Sequence, residues 1–208
     1  MKNQSLKYAV TAGIVFAGVI LIIVLRVMQT PSVDMPAVSG RVRGLRNAPI
    51  QVSEYVDFRC GPCAHGTRYL KSMLAQHPEK IRLEVKFFPV HMAHGLLSFR
   101  YAECAKQQGM FWKMHDRLFA TQGEWFRKKD PDTYFRGIAE EIGLDQQDLQ
   151  QCVADIEIFD QIMAEKKAGE ARGVRATPTY FINGEMVVGS HKVRDKLQEL
   201  LHNLSDQE

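Results

Sequence analysis

Residues 50–63 read IQVSEYVDFRCGPC. Ile50, Val52, Val56 and Phe58 share one parity, so the stretch reads as a buried strand, interrupted on its apolar face by Glu54. Two cysteines, Cys60 and Cys63, follow at once and sit where the next helix begins. That helix runs from Cys63 through Leu70, Met73 and Leu74 to about Gln76, and His77-Pro78 ends it, because the residue before a proline avoids the helical region. A second strand, IRLEVKFFPV at 81–90, alternates Ile81, Leu83, Val85 and Phe87. Strand, helix and strand in about 40 residues make a βαβ unit, with parallel strands and a right-handed crossover.

The period then becomes helical. Leu97, Tyr101 and Cys104 share a face that ends near Gly109, and Phe111, Met114, His115 and Leu118 continue the pattern. Asp145 caps a short helix reaching Cys152, and Ile158, Ile162 and Lys166 stripe another that stops near Gly173. Thr179–Ile182 and Glu185–Val188 flank Asn183-Gly184, a strong hairpin signal. An amphipathic helix from Ser190 to Leu204 closes the chain. The expected class is α/β: a βαβ unit, a helical insertion at about 92–173, a β-hairpin and a helix. Together these give a mixed sheet of four strands.

The chain has 208 residues, with 25% charged and 45% hydrophobic, which excludes wholesale disorder. A formal net charge of +3 is too mild to make nucleic acid a partner. The N-terminus is different in kind. Tyr8 to Leu25 is an uncharged stretch of 18 residues, flanked by Lys2 and Lys7 before it and Arg26 after. At 1.5 Å per residue it covers about 27 Å, close to the hydrocarbon core of a bilayer. A cleaved signal peptide is the competing reading, but the run is long and Ala37-Val38-Ser39 lies far beyond it. The expectation is an uncleaved transmembrane anchor within 1–29, a linker at 30–47 with Arg41, Arg43 and Arg46 solvated, and a folded domain at 48–204. Either reading exports that domain.

Two thiols separated by two residues at a helix start are placed for redox chemistry. The free N–H groups and the positive end of the helix dipole favour a thiolate on Cys60, and Cys63 is near enough to close a disulfide. Zinc needs four ligands and this pair offers two. Covalent haem needs His after the second cysteine, where position 64 is Ala. A purely structural disulfide would close too short a loop to stabilise much. Cys104 and Cys152 leave two readings, a bridge or two buried thiols. His91-x-x-His94 has no third metal ligand beside it and reads as loop histidines. No metal or cofactor is expected.

CGPC after a strand, with Ala176-Thr177-Pro178-Thr179-Tyr180-Phe181-Ile182-Asn183-Gly184 more than 110 residues later, resembles the thioredoxin superfamily. The run Cys104-Ala105-Lys106-Gln107-Gln108-Gly109-Met110-Phe111-Trp112 within the insertion resembles its DsbA-like branch. The likeness covers about 46–204. It implies that Cys60 is the nucleophile, Cys63 its buried partner, and Pro178 the cis-proline facing the sulfurs, with Thr177 presenting its backbone and hydroxyl. Glu54 resembles the carboxylate kept beneath the disulfide for proton transfer, with Lys86 as a possible partner. The resemblance also implies a structural Cys104–Cys152 disulfide. The implied activity is protein-disulfide exchange on exported cysteine-containing proteins, at the outer side of the cytoplasmic membrane. It runs as a dithiol oxidase reoxidised by a quinone-linked membrane partner of the DsbB type. Gly61-Pro62, however, resembles reducing thioredoxins, which keeps open a reductase or isomerase fed by a membrane electron donor. A tethered peptide-binding folding factor is the non-enzymatic alternative.

Overall fold

The computed structural model describes residues 40–92 and 95–206. The anchor expected at 8–25, most of the linker and His94 lie outside them. No described helix is long and apolar enough to cross a membrane.

The sequence period sets the elements in order. β1 (Val42–Arg43) and β2 (Ile50–Val56) precede α1 (Gly61–Gln76) and β3 (Ile81–Phe87). The insertion then supplies α2 (Gly95–Gln107), α3 (Phe111–Ala120), α4 (Gln122–Trp125), α5 (Asp132–Glu141), α6 (Gln146–Ala154) and α7 (Ile156–Ala171). β4 (Thr179–Ile182), β5 (Glu185–Val188) and α8 (Ser190–Ser205) complete the fold. The sheet order is β1-β3-β2-β4-β5. β2 and β3 are parallel, Ile50 opposite Ile81 through Val56 opposite Phe87. β4 joins β2 antiparallel, which sets Tyr180 opposite Glu54. Asn183 and Gly184 take φ of 49° and 87° in the β4–β5 turn, the conformation that a two-residue hairpin needs.

Alternation then sorts the side chains. Ile50, Val52, Ile81, Leu83, Tyr180 and Ile182 pack with Leu70 of α1 and Val193, Leu197 and Leu201 of α8. Val56, Phe58, Val85 and Phe87 continue into the insertion, against Phe99, Tyr101, Phe111, Met114 and Leu118. α7 meets the sheet closely at Gly169, where a Cβ would come within 2.8 Å of the Tyr55 ring.

Two expectations need correction. The sheet has five strands, because residues 42–43 of the expected linker pair with β3, Val42 opposite Glu84. Arg41 is also not solvated: it is 3% exposed, ion-paired with Glu103 and Glu165, and stacked 3.5 Å above the Phe87 ring. A lone arginine carries no period, and its partners lie 62 and 124 residues away, so nothing local announces its burial. Arg43 lies over Trp112 at 4.1 Å, and Arg46 is exposed.

Candidate redox site

The end of β2 delivers the chain into a turn that starts α1. Cys60 is the residue capping that helix, with φ −81° and ψ 114°, and Pro62 falls in the first turn, where a missing N–H costs nothing. The Cys60 sulfur accepts the Cys63 N–H at 3.3 Å. The Cys60 carbonyl takes the same N–H at 3.1 Å and that of Ala64 at 3.3 Å. Both cysteines are free thiols in this structure. Cys60 keeps 8% of its surface exposed and Cys63 none.

Opposite them comes the segment before β4. The Thr177–Pro178 peptide is cis, and the Cys60 thiol donates to the Thr177 carbonyl at 3.3 Å. Pro178 is buried, and its own carbonyl accepts the Gly189 N–H at 2.9 Å. A cavity of about 380 Å³ is lined by Phe88, Val90, Lys166 and Glu170, with Val174 and Arg175 from the chain just before this segment.

The two thiols are driven apart in acidity. A hydrogen bond from Cys63, aided by Thr177 and the Cys63 N–H, lowers Cys60 to about 6 against the opposing effects of burial and the Asp57 charge. Burial pushes Cys63 well above an ordinary thiol, and the neighbouring Cys60 adds to that rise. One sulfur is therefore a ready thiolate and the other holds its proton.

Glu54 is completely buried. Burial raises its carboxyl to about 8, although Thr67 and Tyr180 act against the rise. Thr67 donates to Oε1 at 3.2 Å. The Tyr180 hydroxyl stands beside the carboxylate without closing a hydrogen bond of normal geometry, so it is a weak partner. Gly66 makes room for both, since a Cβ there would collide with that hydroxyl. Lys86 is not the partner of Glu54. Parallel register puts Lys86 opposite Tyr55, on the other face, where it pairs with Glu84 at 2.6 Å.

Asp57 has no exposed surface and was not singled out by the sequence pattern. Its Oδ1 accepts the Arg59 N–H at 2.8 Å, and its Oδ2 accepts those of Val90 and His91 at 2.8 and 2.9 Å. His91 Nδ1 lies 3.0 Å from the same oxygen, and the Asp57 carbonyl takes the Cys60 N–H. One carboxylate thus ties the turn before Cys60 to the loop after β3. An Asp closing a strand ahead of a tight turn was the available signal. His91 is engaged here, and among the described residues no group of three or more His, Cys, Asp or Glu side chains is arranged to hold a metal. Farther off, Cys104 and Cys152 form a disulfide between α2 and α6, Cα atoms 5.8 Å apart.

The family model described as thioredoxin matches residues 37–203. The chain belongs to the thioredoxin family. Alpha-DsbA1 of Wolbachia pipientis shares its fold at a TM-score of 0.69 and 22% identity, over 80% of this chain and 91% of that one. BdbD of Bacillus subtilis does so at 0.68 and 17%, over 79% and 94%. At these identities the likeness is one of fold. Among curated proteins the chain is similar to the Na(+)/H(+) antiporter NhaA of Herminiimonas arsenicoxydans, 33% identical over 156 residues, 74% of this chain but 24% of that protein. NhaA 1 of Salinispora arenicola is 34% identical over 73% of this chain and 23% of its own length. The chain spans about a quarter of the length of these relatives.

Proposed function

We propose that this thioredoxin-family chain is a membrane-tethered, extracytoplasmic dithiol oxidase that passes a Cys60–Cys63 disulfide to exported proteins. The observation that carries the reading is the opposed acidity of two thiols one helical turn apart, with Cys60 at about 6 and Cys63 held protonated by burial. In the oxidised form, a client thiolate attacks the Cys60 sulfur and breaks the Cys60–Cys63 bond. Cys63 leaves and takes up a proton, for which Glu54, at about 8, is the nearby buried donor. A second client thiolate then attacks the client sulfur of the mixed disulfide. Cys60 departs as the stabilised thiolate, the client gains a disulfide, and the enzyme keeps the two electrons. A quinone-linked membrane oxidase of the DsbB type is the proposed acceptor that restores the disulfide.

The Thr177 carbonyl beside Cys60 and the cavity next to Val174 and Arg175 support an extended client segment lying against Thr177 and Pro178. The uncharged run at 8–25 supports the tether, and a matching stretch occurs within longer chains named as Na(+)/H(+) antiporters. Gly61-Pro62 favours a second reading, a reductase in which the same steps run backwards on electrons from a membrane donor. A client-binding factor without redox chemistry is the third.

The test uses the oxidised full chain and a reduced, unfolded client with two cysteines. Stoichiometric disulfide transfer is expected from the wild type. In Cys63→Ser, which cannot form the pair, the Cys60 thiolate should instead attack the disulfide of an oxidised client and stay joined to it as a mixed disulfide, and Cys60→Ser should be inert in both assays. Undiminished folding assistance from a Cys60→Ser/Cys63→Ser double variant would instead identify a binding factor.

A further inference from the structure

The CxxC turn is held from the helical insertion by one neutral side chain. Gln122 opens α4, and its Nε2 donates to the Phe58 carbonyl at 2.6 Å and to the Cys60 carbonyl at 3.1 Å. These are the two carbonyls that bracket Arg59. The platform behind Gln122 is stiff. Thr121 is buried and its hydroxyl donates to the Arg117 carbonyl at 2.8 Å. Trp125, 2% exposed, donates its indole N–H to the Leu118 carbonyl at 2.9 Å and meets the Phe135 ring edge-on. Gly61 itself faces open space, since an added Cβ there would meet nothing within 4 Å. Hydrogen bonds to the carbonyls beside it therefore help to fix how the Cys60–Gly61 peptide is turned, and with it where the Cys63 N–H points.

We propose that Gln122 is a positioning residue of the redox centre: from the insertion it fixes the turn that aims the Cys63 N–H at the Cys60 sulfur, and so sets how readily Cys60 ionises. The inference rests on the dithiol reading above. Its physical content is twofold. The amide donor draws on the negative ends of two carbonyl dipoles beside a developing thiolate, and it removes a rotation that would take the 3.3 Å N–H away from the sulfur. Asp57 and Glu54, the carboxylates that also act on the pair, are left untouched by substitutions at this position.

The experiment is the pH profile of Cys60 alkylation in the reduced full chain, for wild type and for Gln122→Leu, Gln122→Glu and Gln122→Lys, with thermal unfolding alongside. Leu removes the donor and should raise the midpoint by about half a pH unit. Glu adds an acceptor and a charge and should raise it by about one unit, a roughly three- to ten-fold slower reaction near pH 6. Lys keeps a donor and should hold the wild-type midpoint or lower it. That ordering, independent of any common loss of thermal stability, supports the positioning role. Equal midpoints in all four proteins, or equal shifts in the three variants, would overturn it and leave the dithiol reading standing. A wild-type midpoint at the ordinary thiol value would overturn both.

Discussion

Glu54 binds its proton far more tightly in the folded chain than a free carboxyl does, because the strand carries it to a site without exposed surface. Its folded pKa, about 8, lies above the unfolded value of 4.5. The folded state therefore holds the extra proton between those limits, and its contribution to stability declines as pH rises across them, by up to about 1.4 kcal/mol per unit. Glu54→Gln should flatten that slope, so that the variant gains on wild type as pH climbs from 5 to 8, and should slow exchange by depriving Cys63 of its proposed proton donor. Urea unfolding at several pH values checks the first part; parallel slopes in the two proteins would refute it. Glu54 was legible because it breaks the parity of an apolar strand face. Asp57 and Gln122 were not, since they act mainly on backbone groups, which no side-chain period records.

At the scale of elements, the strands and helices that frame the site followed from a change of period: two at β2 and β3, 3.6 through the insertion, and two again around Asn183-Gly184. β1 escaped because it is two residues long and is held by distant partners. Its anchor, Arg41, lies between Glu103 on α2 and Glu165 on α7. Burial raises the Glu165 carboxyl, and Arg41 is the main influence holding it down. Arg41→Ala should therefore cost about 3 kcal/mol or more in unfolding free energy at neutral pH, since it strands the buried Glu165 carboxylate, Glu103 keeping Lys106. The loss should shrink in acid, where Glu165 can take a proton. A cost below about 1 kcal/mol, the range of a surface pair, would show that the strap is not built as described. The Cys104–Cys152 pairing came from family likeness: spacing alone leaves two cysteines 48 residues apart either bridged or free.

For the whole molecule, sheet and insertion meet at the redox pair. The sheet brings Glu54 and the Thr177–Pro178 segment, and the insertion brings Gln122. The proposed tether would confine this chemistry to the membrane surface. Direction of electron flow is a property of the whole assembly, and the dipeptide Gly61-Pro62 could not settle it. Thiolate acidity speaks more directly. A stabilised Cys60 thiolate favours the reduced form and makes the disulfide more oxidising, by about 30 mV per pH unit of acidity in a two-electron couple. With Cys60 at about 6, against about 7 in thioredoxin, the pair should lie above the thioredoxin value of about −270 mV. The most direct measurement is the reduction potential of Cys60–Cys63 in the full chain, equilibrated in glutathione buffers. The account predicts about −240 mV or a more oxidising value; about −270 mV or lower would contradict the dithiol oxidase and leave the reductase in its place.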